Sequence, residues 1–129
     1  MILVDTSVWI DFLKNRKTLA IDRLLFFLEE EETILYTGVI LQELLQGCRK
    51  ESDCLLIENH FQSFIEIFPQ KTTYRLAAKI YRDAKNKGFT IRSSIDCLIS
   101  ACAIEHKVPV LQQDRDYLYI QKISDLKIA

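Results

Sequence analysis

The sequence predicts an α/β fold in which a central parallel sheet is covered by helices on both faces. Short apolar runs alternate with amphipathic helical stretches along the whole chain, the pattern of a sheet built from strand–helix–strand crossovers. Only three Gly and two Pro occur in 129 residues, too few for a succession of hairpins, so long elements joined by short connections are expected. Two of the apolar runs lead into acid, at Asp5 and Asp114. Parallel strands bring such residues to one end of the sheet, where ligands of open α/β folds bind.

In chain order, Ile2-Leu3-Val4 reads as a buried strand, and Asp5-Thr6-Ser7 caps a helix carrying Val8, Trp9, Phe12 and Leu13 on one side. From about Lys17 to Glu31 the apolar residues Ile21, Leu24, Leu25 and Leu28 recur at helical spacing. That helix runs into Glu29-Glu30-Glu31-Glu32, acids that oppose the macrodipole and read as a solvated or frayed end. Thr33–Tyr36 is the second strand and Val39–Cys48 a helix with Leu41, Leu44 and Cys48 inward. Leu55–Phe64 is a further helix and Ile65-Glu66-Ile67 a short edge strand. Thr72–Lys87 forms a helix closing at Gly88, followed by a helix over Ser93–His106. A strand over Val108–Leu111, a helical turn around Tyr117 and a strand near Leu126–Ile128 complete the expected elements.

One domain spanning residues 1–129 suits this length and a 49% hydrophobic composition. The formal net charge of −1 and pI of about 6.1 lack the basic excess of most nucleic-acid-binding surfaces, so any such contact must be local. Cys48, Cys54, Cys97 and Cys102 form no C-x-x-C pair and lie mostly in apolar helical stretches, as reduced thiols do. No basic n-region precedes the first apolar run, and no run approaches the roughly 20 residues that cross a bilayer. A soluble, cytoplasmic protein with no membrane partner is expected.

Asp96 is the acid hardest to explain structurally. It is the only charged residue between Ser93 and Ile104, in a helix so apolar that most of its faces must be covered, and a buried carboxylate is costly unless paired, hydrogen-bonded or bound to metal. Asp5 and Asp114 could each be helix caps, and Glu43, on the flank of its helix, reads by position as an exposed glutamate. Gathered together, the four would repel one another unless a cation held them ionised. Oxygen-only ligands select hard cations such as Mg2+ or Mn2+, which suit phosphodiester hydrolysis. His60 and His106 are too far apart in sequence for a zinc site.

Four ordered motifs carry a resemblance across nearly the whole chain. They are Ile-Leu-Val-Asp-Thr-Ser-Val-Trp-Ile-Asp at the start, Ile-Leu-Gln-Glu-Leu-Leu-Gln-Gly around Glu43, Ile-Asp-Cys-Leu-Ile-Ser-Ala-Cys-Ala around Asp96, and Val-Leu-Gln-Gln-Asp-Arg-Asp-Tyr. The sequence resembles the PIN domain, specifically the VapC-type toxins. The resemblance implies a three-layer α/β/α sandwich and an Mg2+- or Mn2+-dependent endoribonuclease, with transfer or ribosomal RNA as the usual target. It also implies a homodimer inhibited by a small cognate antitoxin.

By motif, Asp5, Glu43, Asp96 and Asp114 match the family's acidic positions, with Asp5, Asp96 and Asp114 as metal ligands. Asp116 matches an auxiliary acid, and Thr6 or Ser7 the hydroxyl after the first Asp. Gln112 departs from the Thr or Ser often found there, though an amide can still donate to a carboxylate or phosphate. Arg92 and Arg115 flank acidic positions and are the candidate RNA contacts, ahead of Lys14, Arg16, Lys17, Lys85 and Lys87. Trp9 and Phe12 read as core or subunit contacts.

Other readings fit less well. A receiver-type magnesium-binding signalling module would want Asp-Asp after the first strand, where this chain has Asp5-Thr6, and a haloacid-type phosphatase would want Asp at position 7, which is Ser. A catalytically silent PIN-like binding domain is the remaining alternative.

Overall fold

The computed structural model describes residues 1–129. Its elements are β1 (Ile2–Val4), α1 (Thr6–Leu13), α2 (Leu19–Glu29), β2 (Ile34–Thr37), α3 (Gly38–Gln46), α4 (Glu51–Phe61), β3 (Ile65–Ile67), α5 (Lys71–Asn86), α6 (Ser94–His106), β4 (Val110–Leu111) and α7 (Asp116–Ile123). The sheet has the order β3-β2-β1-β4, and every pairing is parallel. Leu3 pairs with Leu35 on one side and Val110 on the other, which makes β1 central. Leu3, Val4 and Val110 are wholly buried, as strands covered on both faces must be.

Chain direction explains the layers. The steps β1 to β2 to β3 move one way across the sheet, and β3 to β4 returns past two strands to the far edge. With right-handed crossovers the two directions of travel place their helices on opposite faces. Accordingly α1 packs with α2 and α3, and α3 with α4, while α5, α6 and α7 pack among themselves. The first layer is sealed by an aromatic cluster in which Trp9 meets Phe61 and Phe64, and Phe61 meets Tyr36. In the second layer α6 is buried almost all round, with Cys97, Ile99, Ser100, Ala101, Cys102 and Ala103 inside.

Differences from the sequence reading have local causes. Helix α4 begins at Glu51 instead of Leu55, because Glu51 and Asp53 favour a first turn. Its inner face is marked by Ile57 and Phe61, whereas Leu55 and Leu56 are exposed. Strand β4 begins only at Val110: the Pro109 carbonyl accepts from Leu3 N at 3.0 Å, but proline has no N–H to continue a ladder. The expected strand over Leu126–Ile128 reduces to one parallel bridge between Ile128 and Val110, since β4 offers only two residues to pair with. The acidic run at the end of α2 is solvated except where Glu32 pairs with the Met1 ammonium at 2.8 Å. No helix is long and apolar enough to cross a membrane.

The topology singles out one crevice. From adjacent carboxyl ends, β1 leads into α1 in one layer and β4 leads towards α7 in the other. That reversal is where an open α/β sheet leaves a cleft.

Candidate active site

Asp5 closes β1 and opens α1. Its backbone is extended, and Oδ2 accepts from Ser7 N at 3.0 Å and Ser7 Oγ at 2.6 Å, a helix cap. Oδ1 accepts from the wholly buried Tyr117 hydroxyl at 2.6 Å. Both oxygens of this buried acid therefore have donors. Ser7 is held in turn by Gln113 N, which donates to its Oγ at 3.2 Å. The neighbouring hydroxyl, Thr6 Oγ1, donates to Glu43 Oε1 at 2.8 Å and fastens α3 to the start of α1. Thus the flank position of Glu43 faces the same cleft.

From the other layer comes Asp96, in the first turn of α6 and 8% exposed. Its Oδ2 has no hydrogen-bond partner. Burial, followed by the charges of Asp5, Asp114, Asp116 and Glu43, pushes its carboxyl up to about 7. Five acids thus feel one another across the cleft.

Asp114 and Asp116 are organised by Arg92 and by the turn into α7. Asp114 Oδ1 accepts from Arg92 Nη2 at 2.9 Å and from Asp116 N at 3.0 Å. Asp116 is 1% exposed; its Oδ2 accepts from Arg92 N at 2.9 Å, with Arg92 Nε 3.7 Å away, and its Oδ1 is unpartnered. Both carboxylates hold the Arg92 guanidinium above its ordinary range, the hydrogen bond to Asp114 most strongly. Arg115, the residue that precedes α7, is exposed and forms no salt bridge.

One oxygen each from Asp96, Asp114 and Asp116 lies within 4.8 Å of the others. Carboxylates this close, two carrying a buried oxygen without a donor, form a hard oxygen-donor set for a divalent cation. Asp5 stands beside this trio, held by Ser7 and Tyr117. Asp116 is therefore more deeply placed than its auxiliary standing in the sequence reading implies.

Two residues differ from expectation. Gln112 donates to none of these carboxylates, and its Oε1 is buried without a partner. The adjacent Gln113 takes up polar contacts instead, its amide donating to Asp11 and to Thr18 Oγ1. Sequence places Tyr117 only in a helical turn and gives its hydroxyl no role. Its one signal is its place after Asp116 in Asp-Arg-Asp-Tyr, and nothing local reveals that its hydroxyl reaches a residue far back in the chain.

The fold and this cleft define an acidic α/β domain of the PIN class. The PIN domain model matches residues 2–123. At full length the chain is 32% identical over 131 residues to VapC ribonuclease Mb1587 of Mycobacterium bovis and to ribonuclease VapC11 of Mycobacterium tuberculosis, covering 100% of this chain and 98% of each relative. Among solved structures it is similar to VapBC2 of Rickettsia felis bound to a promoter DNA fragment, with TM-score 0.78 at 16% identity, covering 100% of this chain and 98% of the other. VapBC-1 of nontypeable Haemophilus influenzae gives TM-score 0.78 at 20% identity, covering 100% and 97%. The chain belongs to the PIN domain family, within which these full-length relatives are VapC ribonucleases.

Two outcomes follow from the site's electrostatics in the metal-free protein. Because the folded state raises the Asp96 carboxyl from 3.8 to about 7, the folded form holds a proton that the unfolded chain has lost between those values. Stability from this group is therefore greatest below about 4 and falls as pH rises through 7. Asp96→Asn should stabilise the metal-free protein at pH 8 by on the order of 2 kcal/mol, a gain that shrinks on acidification and is gone near pH 4, as urea unfolding at stepped pH would measure. Tyr117→Phe should lower stability by about 1–3 kcal/mol by leaving Asp5 Oδ1 without a donor, readable in the same unfolding curves at pH 7.

Proposed function

We propose that the protein is a divalent-cation-dependent endoribonuclease and the toxin of a toxin–antitoxin pair. The observation that carries this reading is the convergence of Asp5, Glu43, Asp96, Asp114 and Asp116 on the crevice between β1 and β4, with two buried carboxylate oxygens lacking donors. The full-length similarity to proteins named as VapC ribonucleases supports RNA as the substrate.

Asp96, Asp114 and Asp116 would hold Mg2+ or Mn2+, with Asp5 as the further ligand that the family motif implies. A cation held there would supply Lewis-acid chemistry, making the attacking water more acidic and offsetting charge on the scissile phosphate. Glu43 orients that water and takes its proton. Thr6 aims Glu43 by occupying one of its two oxygens, while Ser7 and Tyr117 fix Asp5. Arg92 sets Asp114 and Asp116 and leaves its half-exposed guanidinium at the rim, where it meets the RNA backbone, with the exposed Arg115 as a second cation.

Transfer or ribosomal RNA is the proposed target, and the cytoplasm the proposed location. The VapBC titles of the structural neighbours support an antitoxin partner, and a homodimer completes the assembly.

Purified protein should cleave RNA with Mg2+ or Mn2+ and stop on addition of a chelator. Asp96→Asn should lower cleavage beyond the about 10–100-fold that loss of an outer-shell partner costs, with a native circular dichroism spectrum. Gel assays on total RNA measure both, and a fully active Asp96→Asn variant overturns the reading, as does a wild type that cleaves no RNA, which would leave a silent binding domain.

A further inference from the structure

A second cavity opens at the same end of the sheet, beyond the carboxyl ends of β2 and β3. It has a volume of about 200 Å3 and is lined by Thr37, Glu66, Phe68, Pro69, Tyr74 and Leu98 among others. This is below the roughly 300–1,000 Å3 of pockets for drug-sized ligands and suits a single ring system. The strand register sets its distance from the acids: Thr37 pairs with Ile67, and β2 lies between β3 and β1. At about 4.8 Å per strand, the cavity sits roughly 5–10 Å along the sheet edge from Asp5, within reach of a nucleotide adjoining one bound at the acids.

Its chemistry is specific. Phe68 and Tyr74 are 67% and 56% exposed, aromatic faces on which an unpaired base can stack. The half-buried Glu66 carboxylate makes no salt bridge, and none of the side-chain hydrogen bonds of the fold uses it; Oε1 stands 4.0 Å from where a Cβ on Gly38 would lie. Thr37 Oγ1 is wholly buried and has no partner. A carboxylate with both oxygens free accepts two parallel N–H groups. Among the RNA bases only guanine offers such a pair, N1–H beside N2–H, on its Watson–Crick edge. Adenine and cytosine set an acceptor nitrogen beside the amino group, and uracil flanks its N–H with carbonyls, so each repels one carboxylate oxygen.

We propose that this cavity is a guanine subsite, in which Glu66 accepts from N1–H and N2–H of a base stacked against Phe68 and Tyr74. It rests on the ribonuclease reading and adds to it a residue that selects where the RNA is cut. Glu66 acts on the base and takes no part in the chemistry at the acids.

The test uses Asp96→Asn full-length protein and dye-labelled oligouridines carrying one central guanine, inosine, adenine or cytosine, with affinity read by fluorescence anisotropy. Guanine should bind at least about tenfold more tightly than adenine or cytosine, with inosine, which lacks the N2 amino group, in between. Adding Glu66→Gln should bring guanine down to the level of adenine, each affinity being taken relative to all-uridine RNA on the same variant. In parallel, the wild type should cut beside guanine, and the Glu66→Gln single variant should cut with that preference gone. Cleavage and binding with no base preference, as a second copy covering the cavity would give, overturn the subsite and leave the ribonuclease intact. A guanine preference that survives Glu66→Gln overturns it equally. Absence of any RNA binding and cleavage overturns both.

Discussion

Asp96 carries the tension around which the site is built. A carboxylate this deeply buried, with one oxygen unpartnered and four other acids close enough to raise it, is unfavourable by itself. The surrounding structure supplies donors to its neighbours and withholds them from Asp96. Ser7 and Tyr117 serve Asp5, Thr6 serves Glu43, and Arg92 serves Asp114 and Asp116. Repulsion among the acids is thereby partly offset at every position but one, and the place left is where a cation gains most. Local stability is given up where the oxygen-donor set lies.

The same tension explains why the acids come from both layers. Asp5 and Glu43 belong to the first layer, and Asp96 and Asp116 to the second, with Asp114 in the turn after β4. No single helix or loop could bring five carboxylates this close, since neighbours on one helix face are separated by three or four residues. The reversal of chain direction between β1 and β4 joins the two layers at one cleft. The strands beneath it are buried in the core, and α6 is enclosed on nearly all sides around Asp96.

Arg92 shows how positive charge is placed at the mouth of an acidic cleft. With no basic excess overall, positive charge must be placed, and Arg92 binds two of the site's acids while remaining 58% exposed. Arg115, between Asp114 and Asp116 in the sequence, is exposed and forms no salt bridge. Both arginines flank acidic positions in the sequence; that only Arg92 pairs with the acids depends on how α7 turns away from β4.

Much was legible in the residues alone. Alternation of apolar runs with helical periodicity determined the α/β class and most elements, since burial on both faces leaves strands uniformly apolar while amphipathic helices keep a stripe. The lone charge of the Ser93–Ile104 stretch marked Asp96 for the same reason, and the four motifs marked the family. Local pattern could not show how deeply Asp116 is buried, that the Tyr117 hydroxyl reaches Asp5, or that Gln112 leaves the carboxylates alone while Gln113 binds Ser7, Asp11 and Thr18. Those outcomes depend on side chains from opposite ends of the chain meeting across the cleft between β1 and β4. Which carboxylates have an oxygen without a donor is decided only when strand order, crossover hand and the seating of α7 bring the donors into place.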